Sequence, residues 1–276
     1  MMSYLDLIFG LLGNFVSLMV FLAPVPTFIQ IYKKKSTEGF QSVPYVVGLF
    51  SAMLWIYYAL LKTDTTLLIT INSVGCFVHT AYISFYLCYA PKSARLQTGM
   101  LILLLNIIGM SLIVVLTYFL ADGSTRGNIV GWICLIFSLC VFVAPLFILR
   151  QVIRTKSVEY MPFLLSLFLT ISAVMWFFYG LLRKDYNIAI PNVVGFTFGV
   201  IQMVLYVIYK GAKKAMEERL PEIQVDAQKN SEIREQIIDA VTLSALVCPE
   251  IVPALPQLVR RDNFDLQNEI NIATST

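Results

Sequence analysis

The sequence predicts an all-α membrane protein with seven transmembrane helices, arranged as two parallel three-helix bundles joined by a linker helix. The prediction rests on the composition, on seven apolar runs and on an internal repeat. Of the 276 residues, 58% are hydrophobic and 13% are charged, whereas a soluble domain has about 45–50% apolar and about 25% charged residues. So few charges cannot cover a soluble protein of this size. The composition therefore excludes a soluble enzyme, a nucleic-acid-binding domain and a disordered protein.

The apolar runs define the predicted spans, because a helix needs about 20 apolar residues to cross the hydrocarbon core. The first run lacks a basic segment before it and a small-residue cleavage site, which indicates a retained helix rather than a signal peptide. The sequence after residue 210 is polar and acidic and predicts a mostly disordered tail. The seven predicted spans are 7–30, 44–61, 66–89, 99–120, 128–149, 161–182 and 187–209.

Lysine and arginine are distributed unequally between the two ends of these spans. Eleven lie at one end, between Lys33 and Lys214, and only four at the other, which are Lys62, Arg126, Arg183 and Lys184. Cytoplasmic loops carry the excess of basic residues. We therefore expect an extracellular N-terminus and a cytosolic C-terminus.

The chain repeats itself at an offset of 121 residues. Residues 16–24 match residues 137–145, and Leu54–Tyr58 matches Met175–Tyr179. The fourth span has no counterpart, and this extra crossing gives both copies the same orientation. Parallel repeats around a central site are typical of transporters. The predicted parts are a first bundle over 5–90, a linker helix over 99–120, a second bundle over 128–210 and the tail over 211–276.

Two asparagines lie within apolar spans and repeat at an offset of 120. They are Asn72 and Asn192, and polar groups at such depth cost free energy in lipid. An amide both donates and accepts hydrogen bonds, so a facing pair can bind a neutral polyol. The alternative is that the two amides only join neighbouring helices.

A pair of tryptophans repeats in the same way. Trp55 and Trp176 each follow a serine by one helical turn, Ser51 and Ser172, so that serine and tryptophan share one helix face. Two indole plates beside amides suit a sugar, which has apolar C–H faces and a hydroxyl rim. The alternative is an aromatic belt at the membrane interface.

The first helix of each copy carries the same stripe of residues. Ser17 and Val20 recur as Ser138 and Val141, on the helix face that also bears a proline. If the stripe faces the central axis, its side chains set the width of the pocket. The alternative is ordinary helix packing.

Proline removes a backbone donor and bends a helix. Four prolines lie near the predicted cytoplasmic ends of the spans in symmetric positions, which favours hinges of a cytoplasmic gate. They are Pro24, Pro44, Pro145 and Pro162.

Polar side chains at the opposite ends of the spans predict an extracellular latch. Tyr58 and Asp185 are the main candidates, with Lys62 and Asp64 beside them. Asp64 aligns with Asp185 at the offset of 121. Solvated loop charges are the alternative for Lys62 and Asp64.

The predicted spans contain no acidic or basic residue, whereas ion-coupled carriers usually hold buried carboxylates. The single histidine, His79, has no counterpart in the other copy, although it could titrate in a proton-coupled carrier. No nucleotide-binding loop, metal-ligand cluster or catalytic triad is present. The sequence thus predicts an uncoupled carrier without cofactor, metal or catalytic residues. A seven-helix signalling receptor is the other alternative, which the repeat argues against.

Several long motifs together resemble the plant SWEET sugar transporters over about residues 5–210. The motifs occur in the family's order, and the last one includes Asn192. They are Gly13-Asn14, Val20–Phe28, Lys34–Tyr45, Leu54–Tyr58 and Ile190–Gly195.

The resemblance implies bidirectional, ion-independent sugar transport by alternating access. It places the substrate asparagines, the pocket tryptophans with their serines, the size-selecting serines and valines, the proline tetrad and the tyrosine–aspartate gate on the residues named above. Within the family, the runs around Trp55 and Trp176 and the long tail resemble the sucrose-exporting plasma-membrane subgroup. A hexose carrier of the plasma or vacuolar membrane is the nearest alternative. Oligomers with family members, in contact with membrane lipid, are also implied.

Overall fold

The computed structural model describes residues 3–156 and 163–210, and every regular element among them is helical. Seven of its helices are long and apolar enough to cross a membrane, which confirms the predicted fold class. The tail prediction and Pro162 lie outside the described residues. The helices are α1 Tyr4–Lys34, α2 Val43–Leu60, α3 Thr66–Tyr89, α4 Lys92–Leu120, α5 Gly123–Thr155, α6 Phe163–Leu182 and α7 Tyr186–Lys210.

The described residues form two compact units. One runs over 3–152 and 163–206, and the other consists of 153–156 and 207–210. Within the first unit, α1 packs against α3 of its own repeat and α6 of the other, while α2 packs against α3 and α5. Contacts between the repeats therefore build the interior, and Tyr58 and Tyr179 are among its most deeply buried side chains.

The first helix of each repeat breaks near a proline. Because Pro24 has no N–H, the N–H of Ala23 donates instead to the Val20 carbonyl, over 3.1 Å. The break in α5 is at Phe142, three residues before Pro145, so by the repeat offset it lies two residues earlier than the break in α1. The straight segments are Tyr4–Leu22 and Val25–Lys34 in α1, and Gly123–Val141 and Val143–Thr155 in α5.

The linker helix α4 is attached to α2 of the first repeat. Its middle, Ile102–Gly109, is a π-helix, and it contains the buried Asn106. Three hydrogen bonds at separate heights join the two helices, so α4 is fixed along its length. They are Ser42 Oγ to Thr98 Oγ1 at 2.7 Å, Asn106 Nδ2 to the Val46 carbonyl at 3.3 Å, and Tyr57 Oη to Thr117 Oγ1 at 2.8 Å.

Helix α1 begins earlier than predicted, at Tyr4, so Asp6 lies inside it. The Asp6 carboxylate accepts a hydrogen bond from the Ser3 N–H, which forms a capping box at the helix start. Asp6 is only 5% exposed, and its Oδ2 lies 3.9 Å from the Arg183 guanidinium. The helix thus includes one acidic residue that precedes the predicted span over 7–30.

Candidate functional site

A cavity of about 330 Å³, named here the central cavity, lies between helices of both repeats. Leucine, isoleucine, phenylalanine and proline side chains complete a mostly apolar wall around its polar groups. All ten residues that the sequence singled out for substrate binding and selectivity line it. They are Ser17, Val20, Ser51, Trp55, Asn72, Ser138, Val141, Ser172, Trp176 and Asn192.

The two asparagines are held in the same way. Asn72 Nδ2 donates to the Leu68 carbonyl over 2.8 Å, and Asn192 Nδ2 donates to the Ile188 carbonyl over 2.7 Å. Each bond uses one amide N–H to reach a backbone carbonyl one turn earlier in the same helix, and it fixes the plane of the amide. The second N–H and the carbonyl oxygen remain available, so each amide can donate to one hydroxyl and accept from another.

The two tryptophans are not equivalent. The Trp176 Nε1–H donates to Ser17 Oγ over 3.0 Å, and Ser17 Oγ lies 3.0 Å from Ser172 Oγ. Trp176 is 8% exposed, whereas Trp55 is only partly buried. The Trp55 indole N–H has no hydrogen-bond partner among the described residues. Trp176 is thus anchored by a hydrogen bond, whereas Trp55 is held by packing, with its ring edge-on to Tyr58 at 5.6 Å between centres.

The two tryptophans differ in the residue of the neighbouring first helix, which is glycine in one repeat and cysteine in the other. A Cβ atom at Gly13 would lie 3.1 Å from Cε2 of the Trp176 ring, so only glycine lets the ring pack this close to the backbone of α1 without a shift. The corresponding residue in the second repeat is Cys134, whose buried Sγ donates to the Leu54 carbonyl over 3.7 Å. Sequence reasoning missed this pair, although the offset of 121 places Gly13 opposite Cys134.

At one end of the bundle, Tyr58 and Asp185 are in direct contact. The Tyr58 hydroxyl donates to Asp185 Oδ2 over 2.6 Å and accepts from Asn187 Nδ2 over 3.3 Å. Asp185 Oδ1 also accepts from the Asn187 N–H, at the start of α7. A Cβ at Gly131 would lie 2.9 Å from Cε2 of Tyr58, so glycine again makes room for a ring. Asn187 is a member of this cluster that the sequence did not indicate.

The predicted pairing of Asp64 with Asp185 is wrong. The residue just before α3 is Thr65, and the residue just before α7 is Asp185, so these two correspond. The Thr65 hydroxyl donates to the Ala59 carbonyl over 2.7 Å. Tyr179 therefore meets no equivalent carboxylate, and its buried hydroxyl has no partner among the described residues. The bond that Tyr58 makes has no counterpart in the other repeat.

An arginine that the sequence counted only as a loop charge joins the two repeats at this same end. The Arg183 guanidinium donates to the Thr63 carbonyl over 2.6 Å, in addition to its approach to Asp6. Lys62 lies with its Nζ 5.4 Å from the centre of the Tyr58 ring. Together with the Tyr58 bond, the Arg183 contacts join the two repeats at this end of the bundle.

Pro44 lies in the first turn of α2, where the missing N–H costs no helical bond.

His79, the candidate proton relay, does not line the central cavity and packs edge-on against Phe21, with ring centres 5.6 Å apart. The geometry thus gives the histidine no route to an occupant of the cavity.

The comparisons with known proteins agree with one another. The profile of the family described as "Sugar efflux transporter for intercellular exchange" matches residues 7–94 and 128–214, one match in each repeat. The chain is 51% identical to the bidirectional sugar transporter SWEET10 of Arabidopsis thaliana, over 98% of this chain and 90% of the relative. It is 54% identical to the bidirectional sugar transporter NEC1 of Petunia hybrida, over 85% of this chain and 88% of the relative.

A solved structure of a eukaryotic SWEET transporter superposes with a TM-score of 0.71. It is 34% identical to this chain, and the match covers 76% of this chain and all of that one. Sequence and structure thus point to the same family over most of the chain. The protein belongs to the SWEET family of sugar efflux transporters for intercellular exchange.

Proposed function

We propose that the protein is a bidirectional, ion-independent sugar carrier with sucrose as its substrate. The central cavity supports this most directly, because it brings Asn72 and Asn192 together with Trp55 and Trp176 in one apolar enclosure. The amides bind sugar hydroxyls, and the indole plates cover the C–H faces of the rings. Ligand pockets commonly combine such an apolar lining with a few placed polar groups.

We infer sucrose rather than a single hexose from the side chains at the four positions proposed to set selectivity. Val20 and Val141 are of moderate size, and Ser17 and Ser138 are small. The two relatives named as bidirectional sugar transporters align over 98% and 85% of this chain, and they support transport of sugar in both directions.

The transport cycle is proposed to alternate between two gates. The Tyr58–Asp185 hydrogen bond closes the extracellular end, and the prolines Pro24, Pro44, Pro145 and Pro162 act as hinges at the cytoplasmic end. The excess of basic residues at that second end supports an orientation with the C-terminus in the cytosol, and the resemblance to the sucrose-exporting subgroup supports the plasma membrane. The oligomer and lipid contacts implied by the family resemblance stay predictions.

Uptake of labelled sucrose and labelled glucose into proteoliposomes tests the proposal, with and without an imposed proton gradient. We expect sucrose uptake that is independent of the gradient. Asn192→Ala should lower it at least about tenfold, because sugar hydroxyls then lose their partner in a desolvated site. Thr197→Ala is the matched control, since that exposed hydroxyl on the same helix bonds only its own helix.

Each other result would change a different part of the proposal. Glucose uptake alone would keep the mechanism and move the substrate to hexoses. Acceleration by the proton gradient would contradict the uncoupled mechanism. Absence of both uptakes in correctly inserted protein would contradict transport of these sugars.

A further inference from the structure

A second cavity, of about 400 Å³, lies at the end of the bundle where Tyr58 meets Asp185. It is named here the loop cavity, because the loops before α3 and α7 and the start of α5 form it. Its lining includes Lys62, Asn128, Trp132, Tyr179, Asp185 and Asn187. Its volume falls in the range of about 300–1,000 Å³ that ligand pockets occupy.

The loop cavity contains a buried polar group without a partner. Tyr179 lines it and is fully buried, and its hydroxyl makes no hydrogen bond among the described residues. Such a group costs free energy unless a ligand or water satisfies it. The matching hydroxyl of Tyr58 is engaged by Asp185 and Asn187, whereas the hydroxyl of Tyr179, a residue that lines this cavity, is not.

The remaining lining has the chemistry of a carbohydrate site. Trp132 is 60% exposed and offers an indole plate. Lys62 and Asn128 supply donors, the amides of Asn128 and Asn187 supply acceptors, and Asp185 supplies a carboxylate. Sugar hydroxyls both donate and accept, so they match a mixed set. Arg183 and Lys184 also line the cavity, so an oxyanion is the competing occupant. The carboxylate of Asp185 and the Trp132 indole favour a neutral polyol over it.

Two of these residues also hold the Tyr58 hydroxyl. Asp185 accepts its hydrogen bond and Asn187 donates to it, yet both line the loop cavity. An occupant with hydroxyl groups can therefore compete with Tyr58 for the same two partners. Displacement of that hydroxyl would release the contact between α2 and α7.

We propose that the loop cavity is a second sugar-binding site, in which a sugar arriving at this end of the carrier displaces Tyr58 from Asp185 and opens the path to the central cavity. The proposal rests on the proposed sugar transport. It assigns Tyr179, Trp132 and Asn128 to sugar binding, a role separate from that of the central residues.

The three tryptophans of the chain allow a direct test. In Trp55→Phe/Trp176→Phe protein, Trp132 is the only tryptophan, and its fluorescence reports the loop cavity. Asn192→Ala is added to remove binding in the central cavity. We expect a saturable change of Trp132 fluorescence with sucrose. Tyr179→Phe should weaken the apparent affinity about three- to tenfold, because one hydrogen bond to the sugar is lost.

The controls separate this role from a structural one. Tyr179→Phe removes a buried, unpaired hydroxyl, so the thermal stability should stay the same or rise while sugar affinity falls. Tyr118→Phe, at an exposed position on α4, should change neither. If the triple variant does not fold, ¹⁹F NMR of the natural sequence labelled with 5-fluorotryptophan gives one resonance for each indole. Trp132→Phe then assigns the resonance that sucrose should shift.

A Trp132 signal that does not respond to sucrose would overturn the proposal, and so would a response that Tyr179→Phe leaves unchanged. A saturable response to potassium sulfate that sucrose does not reverse would assign the cavity to oxyanions instead. Transport by the unmodified protein is measured separately, so failure here is distinguishable from failure of the proposed function.

Discussion

Gly13→Cys should lower sucrose uptake at least about tenfold, because the added side chain displaces the anchored tryptophan. A Cβ at this position would lie 3.1 Å from the Trp176 ring, closer than an ordinary van der Waals contact, so the ring must shift. Overpacking of this kind costs about 1–3 kcal/mol. The ring must move away from Ser17, and the 3.0 Å hydrogen bond from Nε1 is lost, at a further cost of about 1 kcal/mol.

Exchanging glycine and cysteine between residues 13 and 134 tests this explanation directly. Cys134→Gly opens the equivalent place in the second repeat, where the sulfur now contacts the Leu54 carbonyl. The double variant Gly13→Cys/Cys134→Gly should therefore recover part of the uptake, with Trp55 as the anchored plate and Trp176 as the one held by packing. Acrylamide quenching in Trp132→Phe protein, with one more tryptophan replaced by phenylalanine, reports which ring is buried.

Gly99→Cys is the matched control, because nothing lies within 4 Å of a Cβ at that position. It should leave uptake and quenching unchanged. If the double variant transports no better than Gly13→Cys alone, the two positions do not act as an exchangeable pair. The difference in burial and hydrogen bonding between Trp55 and Trp176 would then not result from Gly13 and Cys134.

The sequence was sufficient to predict the lining of the central cavity, and the reason is physical. Asn72 and Asn192 are costly in lipid, and their recurrence in both repeats therefore marks positions with a shared purpose. Trp55 and Trp176 were found by the same recurrence. The seven spans followed from composition and length, which the bilayer constrains strongly.

The asymmetry of the cavity was not predictable by that reasoning. Gly13 and Cys134 are both small, and neither carries a strongly polar group that is costly in lipid, so no signal distinguishes them from packing residues. Their importance depends on the distance to one indole ring. The match between the two repeats places glycine opposite cysteine at this position, but it cannot show that the Trp176 ring packs against the glycine.

The error over Asp64 came from a change of offset inside a loop. The repeats are 121 residues apart at Tyr58 and 120 apart at Asn72, so one residue is missing between these points. Sequence alone cannot place that deletion within a short polar segment. The helix starts place it before Thr65, which makes Thr65 and not Asp64 the counterpart of Asp185.

Tyr58→Phe should open the end of the bundle that the tyrosine now closes. The variant removes a 2.6 Å hydrogen bond to a carboxylate and a second bond from Asn187. Hydrogen bonds to charged groups contribute about 1.5–3 kcal/mol, so the ratio of closed to open protein should fall about tenfold to a hundredfold. Sugar uptake should decrease as well, because alternating access needs each end to close in turn.

Cys134 offers a reporter for this opening. It is fully buried in the same cluster as Tyr58 and Leu54. In protein whose other cysteines are replaced by serine, a membrane-impermeant maleimide added without sugar should modify Cys134 at least about tenfold faster after Tyr58→Phe. The replaced cysteines are Cys76, Cys88, Cys140 and Cys248.

Tyr179→Phe provides the matched control, since it removes the same hydroxyl from the other repeat. That hydroxyl has no partner among the described residues, so its loss should leave the reactivity of Cys134 unchanged. The contrast isolates the bond to Asp185 from the general effect of losing a tyrosine hydroxyl. Equal protection of Cys134 in both variants would mean that the Arg183 contacts with Thr63 and Asp6, rather than Tyr58, keep this end closed.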